Sequence, residues 1–274
     1  MNQFFSFKRF TLLVFKHWAD NKKRYGLSVL AFIGLLIAWF VFTMLTGFDD
    51  EMMGKAVQLI TFFFALFAVG TFYASQYFSD LGSRAKGINF LLVPASAFEK
   101  LLCSLLYTVV LFFVLFTLSF YLVDLLMVTI ANTLPGAEKP GGKSALINVF
   151  KVIILRFNRD STINFLLFFF SVQSAFLLGS VYFEKYSFIK TIISGFVAGF
   201  ILFCFMYFFN EHLLPNGGFQ SGFLTSYRVH VDGINDHLVQ VPRWIGEVFL
   251  FLVMYAIAPF LWIVTYYRLK EKQV

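Results

Sequence analysis

A chain of 274 residues that is 59% hydrophobic and 14% charged, with a mean hydropathy of +0.77, is too apolar for a soluble globular protein. Such proteins average about 45–50% apolar and about 25% charged residues. The net charge of +7 reads as basic loops kept beside an anionic inner leaflet, so membrane lipid is an expected partner and nucleic acid is not.

Residues 2–18 place Phe4, Phe7, Thr11, Val14 and Trp18 on one helical stripe, with Asn2, Arg9 and Lys16 opposite. The pattern predicts an amphipathic helix within 1–26, lying in the inner interface and ending at a basic hinge over 20–24. The alternative is a soluble helix packed on a partner. No signal peptide is expected, because these residues are charged throughout and no small-residue cleavage site follows the first apolar run.

Six apolar runs follow, near 27–46, 58–78, 101–127, 163–183, 190–209 and 244–267. About 20 helical residues cross roughly 30 Å of hydrocarbon, so each run is long enough. The expected fold is all-α, a single transmembrane domain over 1–274 with six spanning helices. Fourteen of the 22 Lys and Arg residues fall in the N-terminus, 79–100, 184–190 and the C-terminus. That imbalance predicts both termini inside. Cys103 and Cys204 lie in different runs, and no disulfide between them is expected.

The outer segments are a short acidic loop over 47–57 and long loops over 128–162 and 210–243. In the first long loop Leu146, Phe150, Ile153 and Phe157 form a second amphipathic stripe, which predicts a helix on the outer leaflet or a tilted re-entrant segment. Ala137 to Ser144, AEKPGGKS, satisfies a relaxed phosphate-loop pattern. That chemistry needs a preceding strand, and an apolar span stands there instead, so it reads as a turn. His230, Asp232, Asp236 and His237 match no metal-site spacing and read as a solvated loop. No catalytic residues, metal or cofactor is expected in this chain.

Within the spans, Asp124 and Glu247 lie near the outer surface by residue count. They line a pathway or sit in ordinary hydrated interface. Gln173 lies deeper, where its amide bonds across helices or faces a polar path. Gly195 and Gly199, four apart, suit close helix packing, either with a second copy or within the chain.

The segment over 79–100 is a polar, basic break between the second and third runs. It supplies Arg84, Lys86, Gly87, Leu91, Leu92, Pro94, Ser96, Glu99 and Lys100 in that order. In this order, and in its six runs, the chain resembles the type-2 ABC exporter permeases. The likeness spans most of the chain as topology but only about twenty positions as a residue pattern. Lys86 stands where the family commonly has an acid, and the 128–162 loop is longer than usual. The resemblance implies that 79–100 holds a coupling helix docking a separate ABC ATPase, which would carry the ATP and magnesium. It further implies a second permease copy, as homo- or heterodimer, and export of an unidentified substrate across the bacterial inner membrane. The chain would then be a transport subunit, not itself an enzyme. The alternative is a non-transporting scaffold or sensor that binds a cytoplasmic partner through the same loop.

Overall fold

Phe112, Phe116 and Phe120 are spaced four apart, so a helix stacks them on one face, and that face is the axis of the fold. The computed structural model describes residues 4–46, 54–133, 149–213, 217–219, 226–230, 236–240 and 242–272. In it these three side chains are buried on α5 (Phe112–Thr133). Phe40 of α1 (Phe7–Thr46) and Phe62 of α2 (Lys55–Gln76) meet Phe120 edge-on, with ring centroids 6.2 and 5.0 Å away. Phe32 of α1 stacks on Phe116 at 5.2 Å. Phe169 of α6 (Val149–Tyr182) closes the cluster from the other side. Gly70 makes the closure possible, since a Cβ there would stand 2.9 Å from the Phe169 ring and 3.0 Å from that of Phe112.

Between α2 and α5 lie a 3-10 turn (Ser79–Gly82), the short helix α3 (Arg84–Leu91) and α4 (Ala97–Leu105). A π-helical stretch over Leu106–Leu111 joins α4 to α5 without a break. After α6 come α7 (Ser187–Leu213) and three short strands, β1 (Gly217–Phe219), β2 (Ser226–His230) and β3 (Asp236–Gln240), paired antiparallel in that order. The chain ends in α8 (Arg243–Phe251), a second π-helical stretch over Leu252–Ala256, and α9 (Ile257–Glu271). Among the described residues, six helical segments are long and apolar enough to cross a membrane: Phe7–Thr46, Lys55–Gln76, Ala97–Thr133, Asn164–Tyr182, Ser187–Phe208 and Gly246–Glu271. The protein is a multi-pass helical membrane protein.

Two expectations need correction. No separate helix ends at a hinge over 20–24, because α1 runs unbroken for 40 residues, about 60 Å. Asp20, Asn21, Lys22, Lys23 and Arg24 are polar but include no Pro or Gly, so nothing there stops a helix. The stripe over 146–157 is likewise not a separate helix. From Val149 it belongs to α6, a single helix of 34 residues. Helix α5 continues to Thr133 and α7 reaches Leu213. Residues 47–53 and Ala137 to Ser144 lie outside the described residues.

Both chain ends and two loops meet at one end of the bundle. Phe4 stacks on Phe98 at 4.9 Å, and Phe98 meets Tyr266 of α9 edge-on at 6.5 Å. At the same end Gly82 abuts the backbone of Glu184, in the turn between α6 and α7. Only a residue without a Cβ fits at position 82.

Candidate functional site

The segment over 79–100 is built from the bundle outward. Phe78, just past α2, is buried, and Phe90 of α3 packs on it edge-on at 5.9 Å. Gly87 sits inside α3. A Cβ there would stand 3.3 Å from the Leu81 carbonyl oxygen, so glycine lets α3 lie against the preceding turn. The helix stops before Pro94, and the backbone N–H of Ala95 closes a tight turn on the Val93 carbonyl at 2.7 Å.

Ser96 then starts α4 through a reciprocal cap. The Glu99 N–H donates to Ser96 Oγ at 3.1 Å, and the Ser96 N–H donates to Glu99 Oε2 at 2.9 Å. Glu99 is fully buried, and its other oxygen, Oε1, accepts three more bonds from the start of the chain. The Ser6 N–H donates at 2.7 Å, Arg9 Nη2 at 3.0 Å and Arg9 Nε at 3.2 Å. Ser96 Oγ donates in turn to the Phe4 carbonyl at 2.7 Å. Lys100, also buried, lies over the Phe90 ring and donates to the Leu91 carbonyl at 3.2 Å, tying the end of α3 to α4. The segment is thus a fixed shape, strapped down by the N-terminus.

The nine residues singled out in this segment divide by position. Glu99 and Lys100 are buried and hold the shape. Gly87 is buried, and Ser96 and Leu91 are half-buried. Lys86, Leu92 and Pro94 face outward, whereas nothing is described of the Arg84 side chain. Lys86 pairs with Asp80 at 3.5 Å across an exposed surface, which contributes little stability. Ile88 is 56% exposed beside Leu92 at 74%. Together these give α3 an apolar outer tip. The Ser-x-x-Glu spacing was the signal for the cap.

Of the residues within the spans, Gln173 donates through Nε2 to the Thr108 carbonyl, inside the π-helical stretch, at 2.5 Å. The wider turn disturbs the regular hydrogen-bond ladder, and the amide of a neighbouring helix engages one of its carbonyls. Asp124 is not in hydrated interface. It is fully buried on α5, and neither carboxyl oxygen has a hydrogen-bond partner among the described residues. Its two neighbours in sequence, Val123 and Leu125, show why residue count misled: they face opposite ways, and Asp124 turns inward with Val123. Glu247 is exposed on α8. Thr191 of α7 packs into the space left by Gly179 of α6, and there the two helices are close. A Cβ at Gly195 or Gly199 would meet no described atom within 4 Å. Strand pairing sets His230 opposite Asp236, and among the described residues no group of His, Cys, Asp and Glu could hold a metal ion.

No family model, curated protein or solved structure matches the chain.

Proposed function

We propose that this chain is the permease subunit of an ABC transporter in the bacterial inner membrane, working as a dimer with an ATPase on a separate chain. The observation that carries the reading is the strapped 79–100 segment. A short helix with an apolar tip at Ile88 and Leu92 is held rigidly at the end of the bundle where both chain ends gather. A force-transmitting contact requires this combination. An exposed tip lets a partner bind, and a fixed base passes the partner's movement to α2 and α4 rather than absorbing it. With the Lys and Arg imbalance setting this end inside, the partner is cytoplasmic. ATP and magnesium belong to that partner, and its closed and open states would bias two arrangements of the spans, moving an exported substrate. The second copy meets this one through α7, whose Gly195 and Gly199 are open to close approach.

The test is co-purification of the tagged chain in a mild detergent, followed by magnesium-dependent ATPase assay of the complex. A phosphate-loop ATPase is expected, and the pair Ile88→Asp with Leu92→Asp should release it while leaving the permease folded. If no ATPase accompanies the chain, or the paired substitution leaves its binding unchanged, a scaffold or sensor role takes the place of this reading.

A further inference from the structure

The helices α1 and α2 touch at two levels and part between them. Toward the far end of the bundle, Trp39 Nε1 donates to Thr61 Oγ1 at 2.9 Å. At the strapped end the contact is aromatic, with His17 stacked on Tyr77 at 4.9 Å and Tyr25 tilted against Tyr73 at 5.8 Å. Between the two levels lies a cleft of about 380 Å³, a size at which proteins hold small ligands. Its walls are apolar: Ala31, Phe32 and Leu35 from α1, and Val69 and Phe72 from α2. Leu35 and Phe72 are more than half exposed, so the cleft opens on the apolar flank of the bundle.

One end of this cleft is polar. There it adjoins a second cavity of about 500 Å³ beneath α3, and His17, Asn21, Arg24, Tyr77 and Asp80 line both. The charges at this junction nearly cancel in pairs. Lys16 holds Asp20 at 2.9 Å, and Lys86 holds Asp80 at 3.5 Å. None of the ion pairs among the described residues includes Arg24. One guanidinium is left over, where an apolar chamber meets a polar one.

The distance between head and tail positions is also informative. Leu35 lies eleven residues beyond Arg24 on the same helix, about 16 Å, the scale of a medium acyl chain. An apolar chamber does not hold ordered water, and one that opens into hydrocarbon fills with hydrocarbon. We propose that the α1–α2 cleft binds a singly anionic amphiphile, its acid group at Arg24 and its acyl chain against Phe32, Leu35 and Val69. The anion is a phosphodiester headgroup or a free fatty carboxylate, which share this chemistry. The inference stands apart from the ATPase reading, since it concerns what the cleft holds rather than what docks on α3.

The experiment uses the full chain in an uncharged maltoside detergent, with equilibrium binding of four labelled probes. These are phosphatidylglycerol, dodecanoate, phosphatidylcholine with the same acyl chains, and glycerol phosphate. One equivalent of phosphatidylglycerol or dodecanoate should bind, and whichever binds tighter identifies the source of the anion. Phosphatidylcholine and glycerol phosphate should bind at least roughly tenfold more weakly, the scale of one charge-assisted hydrogen bond. Arg24→Gln should weaken the preferred probe by a similar factor, Arg24→Lys should retain most of the binding, and Leu35→Trp should weaken probes with a tail by filling the mouth. Arg24 and Leu35 are both exposed, so unchanged unfolding midpoints are expected for these variants. Equal binding of phosphatidylcholine and phosphatidylglycerol to the unaltered chain overturns the proposal, whatever the variants do. So does glycerol phosphate binding as tightly as the lipids, or an effect of Arg24→Gln below roughly twofold.

Discussion

Replacing Glu99 by Gln tests whether the N-terminus is a structural strap on the 79–100 segment. The exchange keeps the size of the side chain and removes its charge. Glu99 Oε1 now accepts three donors and Oε2 accepts the Ser96 N–H. An amide has a single acceptor oxygen, so at least one backbone N–H is left facing an NH2 group. Turning the amide to keep the three bonds at Oε1 forfeits the capping bond, a loss of about 1 kcal/mol. The two Arg9 bonds also cease to be charge-assisted, and the difference between charged and neutral hydrogen bonds is about 1 kcal/mol each. Arg9 is 37% exposed and water recovers part of that. The total is about 2–3 kcal/mol, equivalent to a fall in unfolding midpoint of about 4–12 °C at the scale of larger domains. The assay is unfolding of the purified chain in mixed micelles, run as a double-mutant cycle with Arg9→Met. A coupling of about 1 kcal/mol or more is expected between the two positions. Additive effects, within about 0.3–0.5 kcal/mol, would show that Arg9 and Glu99 do not act together and would refute the strap.

Four further substitutions probe packing at this site and within the spans. Gly82→Ala drives a Cβ into the backbone of Glu184, which cannot rotate away. It should cost about 1–3 kcal/mol in the same unfolding assay, more than Gly87→Ala, where the nearest atom is 3.3 Å off. Gln173→Leu strips the Thr108 carbonyl of its donor and should destabilise by about 1–3 kcal/mol, whereas a loss below about 0.5 kcal/mol would mean that the carbonyl has another partner. Asp124→Leu removes a buried carboxyl that has no hydrogen-bond partner among the described residues, so stability should hold or rise. A fall of more than about 1 kcal/mol would reveal a partner for that acid.

The six spans were legible because membrane helices are declared by length and continuous apolarity, which a single sequence carries in full. Errors arose where a polar stretch was taken for a break. At Asp20 to Arg24 the residues are charged or polar but good enough helix formers, and no Pro or Gly lies among them. Polarity sets where a helix stands relative to the membrane, whereas backbone chemistry sets where it ends. Glu99 was visible as a member of a pattern, but its burial was not. Its partners Ser6 and Arg9 are 93 and 90 residues away, and contacts such as Phe4 on Phe98 and Ser96 Oγ to the Phe4 carbonyl bring them together. The π-helical stretch leaves no mark in Leu106–Leu111, an ordinary apolar run. Arg24 looked like one cation of a basic hinge, and its isolation emerges only once Lys16 and Lys86 are seen to be paired.

The same contrast between what is paired and what is open argues for the arrangement of the moving parts. In a bilayer an exposed apolar helix is not in itself a liability, because lipid tails cover it as well as protein does. The bare flank of α7, with Phe196, Phe200 and Phe203 all exposed, therefore demands no partner. Gly195 and Gly199 on the same helix are different. A glycine facing lipid has no apolar side chain to offer it, and small residues four apart serve where a second backbone comes close. Thr191 shows this logic satisfied within the chain, since it fills the space beside Gly179. One turn further, α7 has left α6 and the same small-residue spacing points outward. The helix packs on α2 and α6 through Phe188 and Thr191, so a second copy that packs against Gly195 and Gly199 would engage α7 beyond these contacts. Motion at the 79–100 segment would then reach the neighbouring copy through the anchored base of α7, by way of Gly82 and Glu184.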